Sequence, residues 1–169
     1  MTPAKCTFAQ LIAPQAIVNG AAVSASNYVD TVGYSYAQIL ALIGATDIAF
    51  TLFRVTESDT YNGSYTAITG LTFGTSTGSS GSTSALPAAT ADNTLRLFNI
   101  DLKGRKRFLR LETTVGSGST GAYLAAVAVL CKDDVAPSTD AGQTGAAAGG
   151  WLAPAEAGAV LQSPAYGTV

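Results

Sequence analysis

The sequence contains no histidine. That absence removes Ser-His-Asp triads, imidazole acid–base chemistry and most zinc sites. Charge is scarce as well. Asp, Glu, Lys and Arg make up 12% of the 169 residues, about half of the ~25% usual in globular domains. A freely diffusing monomer carries more charge to stay soluble, so the deficit points to a surface that is covered or assembled. Long hydrophobic runs are missing. The one sizeable apolar stretch, 121–131, is flanked by glycine and charge and is too short to span a bilayer. The N-terminus has one lysine and two early prolines, Pro3 and Pro14. It lacks the basic start and continuous apolar run of a secretory signal, which predicts synthesis in the cytosol without export.

Cysteine is limited to Cys6 and Cys131. The preferred reading is two reduced, partly buried thiols. A disulfide joining the two ends of the domain stays open, because spacing alone does not establish one. With no histidine to activate it, neither thiol reads as a nucleophile. The carboxylates are scattered: Glu57 and Asp59 in "ESDT" fit a polar turn, and Asp133 with Asp134 ends a strand. The Gly/Ser run at 74–82 has no basic residue, so it is not a phosphate loop. No catalytic residue, metal site or cofactor is expected, and the chain reads as non-enzymatic. The formal net charge of −2 predicts neither nucleic-acid nor membrane binding.

Period-two alternation between turn signals predicts strands at 10–18, 21–32, 34–43, 47–57, 64–69, 94–101, 105–113 and 121–131. In 47–57, Ile48, Phe50 and Leu52 share one face, and Ala49, Thr51, Phe53 and Val55 the other. In 121–131, Tyr123, Val127 and Val129 oppose Leu124, Ala126 and Leu130; the rival reading there is a helix, which Ala and Leu favour. Both strands are apolar on both sides, which predicts burial in a sandwich or under a neighbouring subunit. Residues 70–93 form a long Gly/Ser/Thr-rich connection. The expected fold is all-β: an antiparallel β-sandwich, jelly-roll-like, with an extended C-terminal arm. The boundaries are a lead (1–8), the sandwich (9–132) and an Ala/Gly/Pro-rich arm (133–169).

The stretch "NTLRLFNIDLKGRKRFLRLETT" reads as a hairpin centred on Lys103 and Gly104. That register places Asp101 opposite Lys106, Ile100 opposite Arg107, Phe98 opposite Leu109 and Arg96 opposite Leu111. Phe98, Ile100, Leu109 and Leu111 make the core face. Leu95, Leu97 and Phe108 lie on the other face among Lys106, Arg110 and Glu112, the pattern of a partner-binding surface or of a solvated rim. Five of the nine basic residues fall between 103 and 110. No aromatic stacking platform accompanies them, so contact with an acidic protein surface is preferred over nucleic acid. The candidate subunit-contact residues of this region are Arg105, Lys106, Arg107, Phe108 and Arg110. In the arm, Trp151, Leu152, Val160, Leu161 and Tyr166 are spaced apolar anchors suited to draping over neighbours.

The stretches "LIGATDIAFTLFRVTESDT", "LPAATADNTLRLFNIDLKGRKRFLRLETT" and "GSTGAYLAAVAVL" resemble a family of small tailed-phage structural proteins made alongside the major capsid protein. The resemblance covers roughly residues 9–131. It implies a capsid decoration, or cement, protein in the virion, on the capsid surface, with the major capsid protein and its own copies, as a homotrimer, for partners. The arm from about 133 departs from the short form of the family. The alternative is a receptor- or glycan-binding module on a phage tail or fibre. Such modules place aromatic and acidic residues in exposed loops, and the 74–93 loop has no aromatic residue, which counts against it.

Overall fold

The computed structural model describes residues 6–18, 22–23, 27–74, 85–118, 121–132 and 160–162. Among them are ten strands and no helix: β1 (Cys6–Ile17), β2 (Ala22–Val23), β3 (Val29–Asp30), β4 (Tyr36–Thr46), β5 (Phe50–Ser58), β6 (Thr66–Thr72), β7 (Thr94–Asp101), β8 (Phe108–Val115), β9 (Ala122–Cys131) and β10 (Val160–Gln162). The helical alternative for 121–131 is thereby excluded. Its Leu124, Ala126 and Leu130 are buried, while Tyr123, Val127 and Val129 turn outward.

The strands form two sheets. The first has the order β1-β9-β4-β7-β10 and the second β2-β8-β5-β6, with β3 also on β8. Four antiparallel pairs are nested within one another along the chain: β1 with β9, β2 with β8, β4 with β7 and β5 with β6. The chain is thus one long two-stranded ribbon. It is rolled so that successive pairs alternate between sheets, and β4–β9 and β5–β8 pairing closes the roll. That is the jelly roll. The core lies between the sheets, where Phe53 of the second sheet stacks on Phe98 of the first at 5.9 Å, and Phe73 meets both edge-on.

β7 spans the expected residues, but β7 and β8 are not hairpin partners. They lie in opposite sheets. Phe98, Ile100, Leu109 and Leu111 do face the core, yet they meet across the sandwich rather than side by side. The connection 102–107 makes the crossing. Gly104 adopts φ +74°, which a side chain resists. The Leu102 N–H donates to the Ser35 carbonyl, and the Arg105 N–H to that of Leu102. Asp101 is paired with Tyr36 instead of Lys106. Alternation fixes which side of a strand is apolar; it does not say whether the next strand is a lateral neighbour or a facing one.

In β5, an extra residue between Phe50 and Leu52 breaks the expected face assignment. This bulge turns Phe50 to the same side as Phe53 and Val55, all buried. β1 starts at Cys6 and runs along a sheet edge with two register shifts. Pro14 is tolerated there because an edge strand has N–H groups with no ladder to join. The expectation of reduced thiols is overturned. Cys6 and Cys131 stand opposite each other in the β1–β9 ladder, 4.1 Å apart at Cα, and form a disulfide. The pairing could not be read from a spacing of 125 residues. It follows from the nesting, which makes the first and last strands of the roll neighbours.

Candidate interaction surfaces

The outward side chains of the first sheet form an almost uncharged face. Register places them in four rows across the strands: Cys6, Cys131, Tyr36 and Asp101; Phe8, Val129, Gln38 and Asn99; Gln10, Val127, Leu40 and Leu97; and Ala125, Leu42 and Leu95. Asp101, at one corner, carries the only charge in these rows. In the middle, Gln38 Nε2 donates to Asn99 Oδ1 at 2.9 Å, while the buried Asn99 Nδ2 has no partner among the described residues. Leu97 packs with Leu40 and Leu95. Beyond them the face opens: Phe8 is 73% exposed, Leu42 50% and Tyr123 55%. A shallow cavity of about 210 Å³ lies between β1, β4 and β9, lined by Pro14, Gln15, Leu42, Gly44 and Tyr123 among others. Gly44 keeps its floor low, since a Cβ there would come within 3.1 Å of Tyr123 Cβ. Exposed apolar side chains grouped on one face mark contact surfaces far more often than single ones do.

The second sheet presents the opposite chemistry. Its outward residues include the ion pair Arg54 to Glu112, 2.9 Å apart on adjacent strands, and the basic cluster of 105–110. Each of the cluster's candidate residues has a partner in its own chain. Arg105 approaches Glu57 at 3.6 Å, and Lys106 approaches Asp59 at 3.5 Å. Arg107 grips Asp30 through two hydrogen bonds of 2.9 and 2.6 Å. Arg110 lies 3.6 Å above the ring of Tyr65. Phe108 is nearly buried under Tyr28 and Tyr61. The Arg107 guanidinium holds the Asp30 carboxyl below its ordinary value, with a further contribution from the Val32 N–H. Burial pushes the Tyr65 phenol up, partly offset by Arg110. Glu57 and Asp59, expected as a polar turn, are the acids that hold two of these bases.

No protein-family model, curated protein or solved structure matches the chain. Among the described residues no three His, Cys, Asp or Glu side chains are grouped to hold a metal ion, and no helix is long and apolar enough to cross a membrane. Of the arm's anchors, Val160 and Leu161 lie in β10, paired in parallel with Leu97 and Phe98 of β7. Trp151, Leu152 and Tyr166 lie outside the described residues. The structure therefore gathers the basic candidates at one end of the second sheet and puts part of the arm at the edge of the first.

Sequence reasoning missed Phe8, Leu42 and Tyr123 as one surface, and Tyr28 with Tyr61 as another. A signal for the first existed in the two-sided apolar character of 121–131, whose outer side is the middle of the uncharged face. Phe8 was assigned to the lead, so its alternation with Cys6 and Gln10 carried no weight.

Proposed function

We propose that the protein is a non-enzymatic structural subunit of a phage particle, a capsid decoration protein that docks by the outer face of its first sheet. The observation that carries the reading is the almost uncharged face with Phe8, Leu42 and Tyr123 exposed on it, the last two lining an apolar cavity. The resemblance of residues 9–131 supplies the setting: the major capsid protein and further copies, as a homotrimer, are the partners. Binding only the assembled lattice stabilises that lattice by mass action.

Magnitudes favour attachment as a cluster. Fully burying a large apolar side chain contributes about 1.5–3 kcal/mol. The three exposed ones together then supply roughly 3–5 kcal/mol, after allowing for the part already covered. Association costs an estimated ~4–15 kcal/mol in lost translation and rotation. One copy on one site would hold weakly, and linked copies convert later contacts into intramolecular ones.

The test uses particles stripped of the protein and reloaded with wild type, Leu42→Asp or Tyr123→Asp. Both variants should melt like wild type yet fail to co-sediment, and wild-type attachment should change little with salt, since apolar burial is not screened. Cryo-electron microscopy should place wild-type density on the head lattice. Density confined to the tail, or variants that reload normally, would overturn the reading.

A further inference from the structure

Three aromatic rings from three separate stretches meet where the second sheet ends. Tyr28 precedes β3, Tyr61 sits in the β5–β6 connection and Phe108 opens β8. The ring centroids are 5.7 Å apart for Tyr28 and Tyr61, 5.6 Å for Tyr28 and Phe108, and 6.4 Å for Tyr61 and Phe108. Phe108 is nearly buried and meets both tyrosines close to edge-on. It acts as a fixed floor, while Tyr28 stays 40% exposed and Tyr61 55%. The Tyr65 hydroxyl donates to the Tyr61 carbonyl at 3.0 Å, which anchors the loop that carries Tyr61. Tyrosine has two rotatable side-chain bonds, so holding such rings against a ligand costs little entropy.

The four exposed charged side chains that flank the rings are paired acid to base. Asp30 is closed on Arg107 and Asp59 on Lys106. Two acids thus offset two bases, and no uncompensated charge among these four is left to draw in a phosphate, a nucleic acid or an acidic peptide. Hydrogen-bonding capacity remains. A carboxylate has about four lone-pair sites and a guanidinium five N–H donors. The hydrogen bonds between Asp30 and Arg107, with that from the Val32 N–H, use only some of each. Both side chains, like those of Lys106 and Asp59, remain open to water. Exposed rings offer a face to C–H bonds, and the paired carboxylates and bases, each within two residues of a ring and with Arg107 4.9 Å from the Phe108 centroid, offer acceptors and donors. A ligand that fits needs an apolar C–H face rimmed by uncharged hydroxyls.

We infer that this end of the sandwich is a binding site for a neutral carbohydrate. A pyranose stacks on Tyr61 and Tyr28, and its hydroxyls bridge to the Asp30–Arg107 and Asp59–Lys106 pairs. The site is made by the second sheet and its loops, whereas the proposed docking face belongs to the outside of the first sheet. Docking leaves the sugar site open, and the site stands whether or not docking occurs.

The experiment is affinity electrophoresis of the full-length protein through gels cast with mannan, β-glucan, galactan or dextran, at low and high salt. Heparin serves as the acidic comparison. At least one neutral polymer should retard the wild type, equally at both salt levels, because an uncharged ligand is not screened. Tyr28→Ala and Tyr61→Ala should each weaken retardation by about tenfold or more, as an aromatic anchor does. Tyr61→Trp should keep it, which separates loss of the ring from loss of the fold, and Tyr123→Ala should leave it unchanged. Retardation by none of the neutral polymers overturns the inference, as does retardation indifferent to both alanine variants. Retardation by heparin alone, abolished at high salt, overturns it in favour of an anion site.

Discussion

Replacing both cysteines, Cys6→Ser with Cys131→Ser, isolates the contribution of the disulfide. The double variant is the right perturbation because a single one leaves a thiol free to pair between molecules. The bridge spans 125 residues, and a closed loop of that length removes chain entropy from the unfolded state equivalent to about 5 kcal/mol. In the folded state the two residues already oppose each other in the β1–β9 ladder, so serine fits without displacing a strand. For a chain of this size each kcal/mol moves the melting temperature by about 2–4 °C, which predicts a fall of roughly 10–20 °C. The assay is thermal unfolding followed by circular dichroism, with and without a thiol reductant. Wild type in reductant should drop to the melting point of the double variant, and the variant should ignore the reductant. Melting points that agree within about 2 °C under all conditions would refute the entropic reasoning.

Phe98→Ala and Leu109→Ala should each cost about 2–5 kcal/mol in urea unfolding. A double-mutant cycle should couple Phe98 with Phe53 by about 0.5–1.5 kcal/mol, and zero coupling would contradict the stacking across the sheets. Asp30 titrates below its ordinary value of 3.8 because Arg107 donates to it. Its folded pKa is therefore depressed, so its contribution is present above that ordinary value and is lost as pH falls through the lower one. Urea melts of wild type and Asp30→Asn should accordingly converge as the pH drops below 3.8; a gap that persists would show the pair to be uninvolved. Deleting 137–169 removes β10 and leaves β7 as an open edge. The body should stay folded while hydrogen exchange quickens over 97–99, and global unfolding would mean that the arm is integral to the domain.

Face assignment was readable from the residues, and neighbour assignment was not. Period-two alternation located 94–101 to the residue and put Phe98, Ile100, Leu109 and Leu111 in the core, because burial acts on each strand separately. The partner of a strand depends on the whole roll. Nothing local to "DLKGRKRF" distinguishes a hairpin loop of two or four residues from a six-residue crossing between sheets. The bulge at Thr51 was hidden for a similar reason: an inserted residue shifts the phase of alternation without changing its composition. The Cys6–Cys131 bond and the Tyr28, Tyr61 and Phe108 cluster both join residues far apart in sequence. No window of ten or fifteen residues contains either, and each became visible once the nesting of the strands was known. The basic run at 103–110 was legible as charge, but its acids, Asp30, Glu57 and Asp59, lie two strands or more away in the chain.

The Cys6–Cys131 bridge also determines how the molecule responds to tension. It ties the strand that leaves the lead directly to the strand that enters the arm. A pull applied between residues 6 and 131 runs through one covalent bond, and the strands between them carry none of it; β10, beyond the bridge, is held to β7 by its own pairing. Without the bond the same pull could draw out roughly 400 Å of chain, at about 3.3–3.6 Å per residue. With it, the sandwich is a closed eyelet on a cord. Force that enters at residues 6 and 131 leaves the body between them unstrained, and only a reductant makes that span extensible.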